Sequence, residues 1–260
     1  MDKLKAMLKS ILFGLIMLLF LALGAIIAKT LDLSVNRAYI FKGCFMLLSL
    51  IVPLLYTGSK RINFSEIGFN KPNAKIMKGL AFYIPLIFAL IPFVIIFNKN
   101  LGIKSMIVTL FYYGCVAIAA EVYFRGVIQH ILRGKLKIIP MLFFVCFLYA
   151  ICNMYYLYTI KSIKHILILC VGSFAICGIT ATIIEKKGFI LFNIIFNALC
   201  LFIGSNYKAS GKKLIVIYFI FCVIVLVYWI YLFITYMKAN KKEQIENKET
   251  FDEDGNIVLE

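Results

Sequence analysis

Charge is scarce in this chain: 15% of its 260 residues are charged, and 63% are apolar. Soluble domains carry about 25% charged and about 45–50% apolar residues. The shortfall excludes a water-soluble enzyme, a disordered chain and a secreted disulfide scaffold. Histidine occurs twice, as His130 and His165. A zinc site takes three or four His, Cys or carboxylate ligands, and none can be assembled around either one. The cysteines (Cys44, Cys115, Cys146, Cys152, Cys170, Cys177, Cys200 and Cys222) all lie in apolar runs, with no C-x-x-C pair. They read as small apolar packing residues rather than a disulfide or metal framework. No Walker loop, G-x-G-x-x-G, H-E-x-x-H or G-x-S-x-G occurs, so no cofactor is expected. Long alternating strands are also missing, which excludes an outer-membrane β-barrel.

What the chain has is long apolar runs, with a mean hydropathy of +0.97. Runs over roughly 11–28, 40–57, 79–97, 106–128, 138–157, 165–184, 188–205 and 214–236 are each about the length of a membrane span. The pattern predicts an all-α, polytopic membrane protein of about eight transmembrane helices. Lys3, Lys5 and Lys9 precede the first run as in a signal peptide, but its length and the spans behind it read as a retained anchor. The net charge of +16 has no nucleic-acid signature beside it, and no nucleic-acid partner is expected. It fits Lys-rich loops that set topology. With the N-terminus inside, inner segments hold about 17 of the 28 basic residues and outer ones about 10. Both termini are therefore expected in the cytoplasm.

Residues 1–237 read as one transmembrane bundle. Residues 238–260 carry four Lys and seven Asp or Glu and read as a flexible, charged cytosolic tail. No fixed-period or inverted repeat is found. The tyrosines Tyr112, Tyr113, Tyr155, Tyr156 and Tyr158 fall toward span ends, as aromatic-belt residues do.

Glu121 is the one acidic residue set within a span, and Arg125 follows it at i+4. That spacing puts both on one helix face, where they meet as a pair. Pairing offsets the insertion cost of about 2.5–3.5 kcal/mol for each charge at the bilayer centre. Ala117 and Gly114 continue the same side as a small-residue stripe that would admit a close neighbouring helix. Two readings stay open at this point: a structural ion pair near the membrane surface, or a polar site facing a cavity in the bundle.

The segment AEVYFRG resembles the first signature of the CPBP superfamily, the CAAX-prenyl protease and bacteriocin-processing membrane proteins also called the Abi family. That signature is two adjacent Glu, three residues, then Arg, usually followed by Gly. Glu121, Phe124, Arg125 and Gly126 match it. The upstream segment SEIGFNKPNAKIMKGL, around Ile67, Gly68 and Phe69, is similar to that family's loop before the motif helix. The resemblance covers about residues 65–204 and implies an intramembrane endopeptidase fold.

The same resemblance shows what is missing. The family's first Glu, its proposed water-activating base, is replaced by Ala120, which has no titratable group. The second motif, an aromatic residue followed by His at i+4, is matched by Tyr149 and Asn153. The third, His followed by Asn or Asp at i+4, is matched by Asn193 and Asn197, or by Asn197 and Leu201; neither register contains His. Asparagine donates and accepts hydrogen bonds but is neither a base nor an ordinary zinc ligand. The resemblance thus implies a degenerate, non-catalytic member at an integral, bacterial cytoplasmic-membrane location. Its expected partners are the lipid bilayer and a membrane peptide or a membrane or envelope protein, with bacteriocin self-immunity or enzyme scaffolding as family-derived roles. Two alternatives remain: an active endopeptidase with a rearranged site using Glu121, and a small-molecule transporter using the buried pair as a proton relay. The asparagines also admit a purely structural reading, as glue between helices.

Overall fold

A computed structural model describes residues 2–71, 78–97, 102–153, 163–187, 189–206 and 212–249. They form helices α1 (Asp2–Thr30), α2 (Val35–Ser49), α3 (Ile51–Ser59), α4 (Ile84–Ile95), α5 (Ile103–Glu121), α6 (Gln129–Leu132), α7 (Ile138–Asn153), α8 (Ile163–Lys187), α9 (Leu191–Ser205) and α10 (Lys212–Glu249). A 3-10 turn, Lys78–Tyr83, leads into α4, and a π-helical turn, Val122–Ile128, joins α5 to α6. Among the described residues there is no strand, only isolated bridges such as Phe69 with Phe189. Among the described residues, four stretches are long and apolar enough to cross a membrane: Asp2–Thr30, Val35–Ser59, Ile103–Leu132 and Lys213–Ala239. The shorter apolar helices Gly79–Ile95, Ile138–Asn153, Cys170–Glu185 and Leu191–Ser205 coincide with the other expected runs. Long apolar helices of this kind fit an integral membrane protein.

The α2–α3 stretch breaks at Leu50 for a chemical reason. Pro53 has no N–H to give to the Ser49 carbonyl four residues back. The Tyr123 hydroxyl takes that carbonyl instead, at 2.8 Å, from the π-helical turn. A helix defect in one element is thus satisfied by a side chain of the element that carries Arg125, as buried backbone in a membrane requires.

Successive segments run up and down. Tyr39 stacks near Tyr112 at 5.2 Å, and Ser49 meets Tyr123, so α2 and α5 run side by side. Phe13 of α1 lies 6.1 Å from Tyr123, and a Cβ on Gly24 would meet Phe45, so α1 runs the other way. Arg133 reaches both Glu185 and the Glu66 carbonyl, gathering the α3–α4 loop, the α6–α7 turn and the end of α8 at one end of the bundle. The start of α1 packs there too, against α6. The loops expected to be cytoplasmic share this end wherever they are described.

Small residues set the closest helix contacts, though not all where the sequence placed them. Ala117 is fully buried against Ile184, Ile190 and Ile194. Gly114, expected to extend that stripe, faces open space; the tight approach of α5 is to Gly43 of α2, where a Cβ would lie 2.9 Å from the Phe111 ring. The tightest fit is Gly178 of α8, on which the Trp229 indole of α10 lies directly. Gly178→Ala is expected to destabilise the protein by about 1–3 kcal/mol, because a rigid indole against backbone has nowhere to move. Thermal unfolding in detergent checks this, with the exposed Gly58→Ala, which meets nothing, as the neutral comparison.

Helix α10 continues to Glu249, so residues 238–249 are helical rather than irregular; 250–260 lie outside the described residues. So do Tyr155, Tyr156 and Tyr158. His165 opens α8, with its side chain likewise outside the described set.

Candidate functional site

Glu121 ends α5, and Arg125 sits in the π-helical turn that follows. A π turn is rare and occurs mostly as a single turn inside α-helices, frequently at functional sites. Here it lies within a stretch of consecutive buried residues that includes a charge pair, Glu121 to Gln129. Arg125 Nε lies 3.3 Å from Glu121 Oε2, and both side chains are wholly inaccessible. The expected i, i+4 pair is therefore formed, inside the bundle rather than at its surface; Arg125 does not snorkel outward.

Three other helices supply the partners. From α9, the Asn197 amide donates to Glu121 Oε1 at 3.1 Å and to the Tyr149 hydroxyl at 3.0 Å. From α7, the Tyr149 ring lies under the Arg125 guanidinium, 4.3 Å from its centre, a cation–π contact that gains strength when water is excluded. From α8, the Thr180 hydroxyl accepts from Arg125 Nε at 3.0 Å and from Nη2 at 2.6 Å. That hydroxyl passes its own proton to the carbonyls of Ile176 and Cys177. Asn193 donates to the Thr180 carbonyl at 3.1 Å and accepts from the Tyr83 hydroxyl at the start of α4. Glu121 Oε2 and Arg125 Nη1 make no hydrogen bond among the described residues.

Of the residues singled out from the sequence, Glu121, Arg125, Asn193 and Asn197 converge. Both asparagines of α9 belong to the network, while Leu201 packs with apolar neighbours, so the Asn193–Asn197 register is the one that brings polar groups together. Asn153 is only half-buried; its amide returns to the Tyr149 carbonyl one turn back, and it is tied to the network through Tyr149. Ala120 is buried within the main apolar cluster, alongside Phe124 and Tyr149. His130 lies half-buried on α6 near Glu66 and Arg133. No group of three or more potential metal ligands exists among the described residues.

Sequence reasoning passed over Thr180, Tyr83 and Gln129. Gln129 is fully buried and donates to Glu185 Oε1 at 2.6 Å and to the Ala181 carbonyl. A signal was present for Thr180 and Gln129: each is a polar side chain inside an apolar run, where polar groups must find partners. Tyr83 gave none beyond its position at a span end.

The upstream loop closes the site from the end. Gly68 adopts φ 94°, a left-handed conformation that suits glycine, and its carbonyl accepts from Ile190 N at 2.8 Å. Ile67 covers Gly126 of the π turn, where a side chain would meet it at 3.5 Å. Loop, π turn and α9 are thus in direct contact.

Chemically the network is a closed ion pair wrapped in neutral donors and acceptors. Glu121 Oε1 accepts from Asn197 and Oε2 is paired with Arg125 by charge alone, and among the described residues no second carboxylate or imidazole is a partner of Glu121. No family model matches the sequence, and no curated protein matches it.

Proposed function

We propose that this is an eight-span membrane protein of the bacterial cytoplasmic membrane, both termini inside, resembling the CPBP superfamily without its catalysis. In this reading it binds or regulates a membrane peptide or a membrane or envelope protein. The observation that carries the proposal is the engagement of Glu121. Its Oε1 accepts from Asn197 and its Oε2 lies 3.3 Å from Arg125 Nε, so the charge of the site's one described carboxylate is already matched by a cation, which disfavours its use as a base. Ala120 and the asparagines at 153, 193 and 197 cannot take over that work. Acid–base groups contribute about 10²- to 10⁴-fold each, and losing the base and both histidines removes most of a protease's rate. The polar groups that remain suit recognition.

The test is a cleavage assay on the purified protein in nanodiscs, with a panel of membrane-spanning and prenylated peptides. No cleavage is expected, and Glu121→Gln is expected to match wild type. Cleavage that disappears in Glu121→Gln would replace this reading with the rearranged endopeptidase.

A further inference from the structure

The end of the bundle that holds the candidate site's loop is also strongly basic. Lys60, Arg61 and Lys71 of the α3–α4 loop are exposed, as are Lys135 and Lys137 of the adjoining turn. The two pieces are fastened together, since Arg133 Nη1 donates to the Glu66 carbonyl at 3.3 Å. Glu185 pairs with Arg133 at 2.8 Å, and Glu66 Oε1 accepts from the loop's own Asn63 N at 3.1 Å. Five cations face outward, against the exposed carboxylates of Glu66 and, at the start of α1, Asp2.

The loop is built rather than slack. Arg61 sits at φ 53°, and Glu66, Gly68 and Phe69 donate back to Asn63, Ser65 and Phe64 at 3.0, 3.1 and 2.9 Å. In its centre two rings stand exposed among the charges: Phe64 is 59% and Phe69 40% accessible, edge to face at 6.3 Å. Exposed aromatic rings framed by Lys and Arg, where an apolar helix ends, match a headgroup layer. Rings sit at the acyl boundary, and ammonium and guanidinium groups reach the phosphates.

We infer that the Lys60–Lys71 loop, together with Lys135 and Lys137, is a docking surface for anionic phospholipid headgroups. The inference rests on the membrane reading and not on the proposed loss of catalysis. Through Ile67 on Gly126 and the Gly68 carbonyl on Ile190 N, a headgroup held by this loop bears directly on the candidate site.

The experiment is native mass spectrometry of the full chain from nanodiscs of phosphatidylcholine mixed with phosphatidylglycerol, counting each lipid retained. Preferential retention of phosphatidylglycerol is expected. Neutralising Lys60, Arg61, Lys71, Lys135 and Lys137 to Gln abolishes the preference, and single changes lower it roughly fivefold each. Phe64→Ser, which leaves the charge intact, weakens it as well. Neutralising Lys29, Arg37 and Lys104 at the opposite end leaves it unchanged. Equal retention of both lipids by wild type, or equal loss from the two ends, overturns the proposal. Displacement of the bound lipid by inorganic phosphate at constant ionic strength would make this a phosphate site and overturn it too. A failure here leaves the cleavage assay untouched, so the two readings fall separately.

Discussion

Replacing Arg125 by leucine destabilises the protein by an expected 3–5 kcal/mol or about that, the cost of leaving a buried charge without its partner. Among the described residues Glu121 has no second source of countercharge. Glu121 would keep its Asn197 donor but lose the guanidinium 3.3 Å away. Thr180 would lose both N–H groups that its hydroxyl accepts, and the Tyr149 ring would lose the cation above it. Glu121→Leu alone is expected to cost a similar amount, by leaving the guanidinium unpaired. The double change to leucine is expected to be milder than the two single losses added together. Replacing a whole buried pair by apolar groups is often near neutral, while removing one member is not. Unfolding of the four proteins in detergent, read as a double-mutant cycle, gives the coupling directly. Additive losses would mean that the pair contributes no more than its separate packing, and the site would lose its electrostatic centre.

That pair was legible in the sequence because helix periodicity alone brings i and i+4 together. The run positions were legible for the same reason: length and hydropathy are local properties, and each run overlaps an apolar helix among the described residues, four of them in stretches long enough to cross a membrane. What depends on contact between helices was legible only in part. The asparagines at 193 and 197 stood out as polar residues in an apolar helix, yet Asn153 looked equivalent and its amide instead turns back to its own helix. Nothing in residue type separates these cases; the packing of α7 against α8 and α9 does. The π turn had no local signal either. It inserts a wider turn between Glu121 and Gln129, which alters the helix phase beyond Arg125 and buries Gln129 against Glu185. Gly114 was misjudged because a small-residue stripe shows where a helix can approach, not which neighbour does. The break at Leu50 falls inside the run read as one span over 40–57; Pro53 is its local cause, whereas the Tyr123 hydroxyl that repairs it comes from 74 residues away.

The asparagines differ enough in surroundings to give the sharpest ranking. Asn197→Leu is expected to cost about 2–4 kcal/mol, since it strips a donor from both Glu121 Oε1 and the Tyr149 hydroxyl, and each buried polar group left unpaired costs about 1–3 kcal/mol. Asn193→Leu leaves the Thr180 carbonyl and the Tyr83 hydroxyl without their partners and is expected to cost less, because its interaction with Glu121 is weaker than that of Asn197. Asn153→Leu is expected to stay within about 1 kcal/mol, because the residue is half-buried and its amide donates to its own helix backbone. An interhelical hydrogen bond in a membrane averages only about 0.6 kcal/mol. A loss at Asn197 well above that figure therefore reports the carboxylate it serves, not helix glue in general. The same order should appear in Asn197→Leu combined with Glu121→Leu. With the carboxylate gone, the second change has one partner fewer to orphan, and its cost shrinks. Three asparagines of equal, small effect would instead support the structural reading, in which each merely joins neighbouring helices and the convergence on Glu121 carries no chemistry.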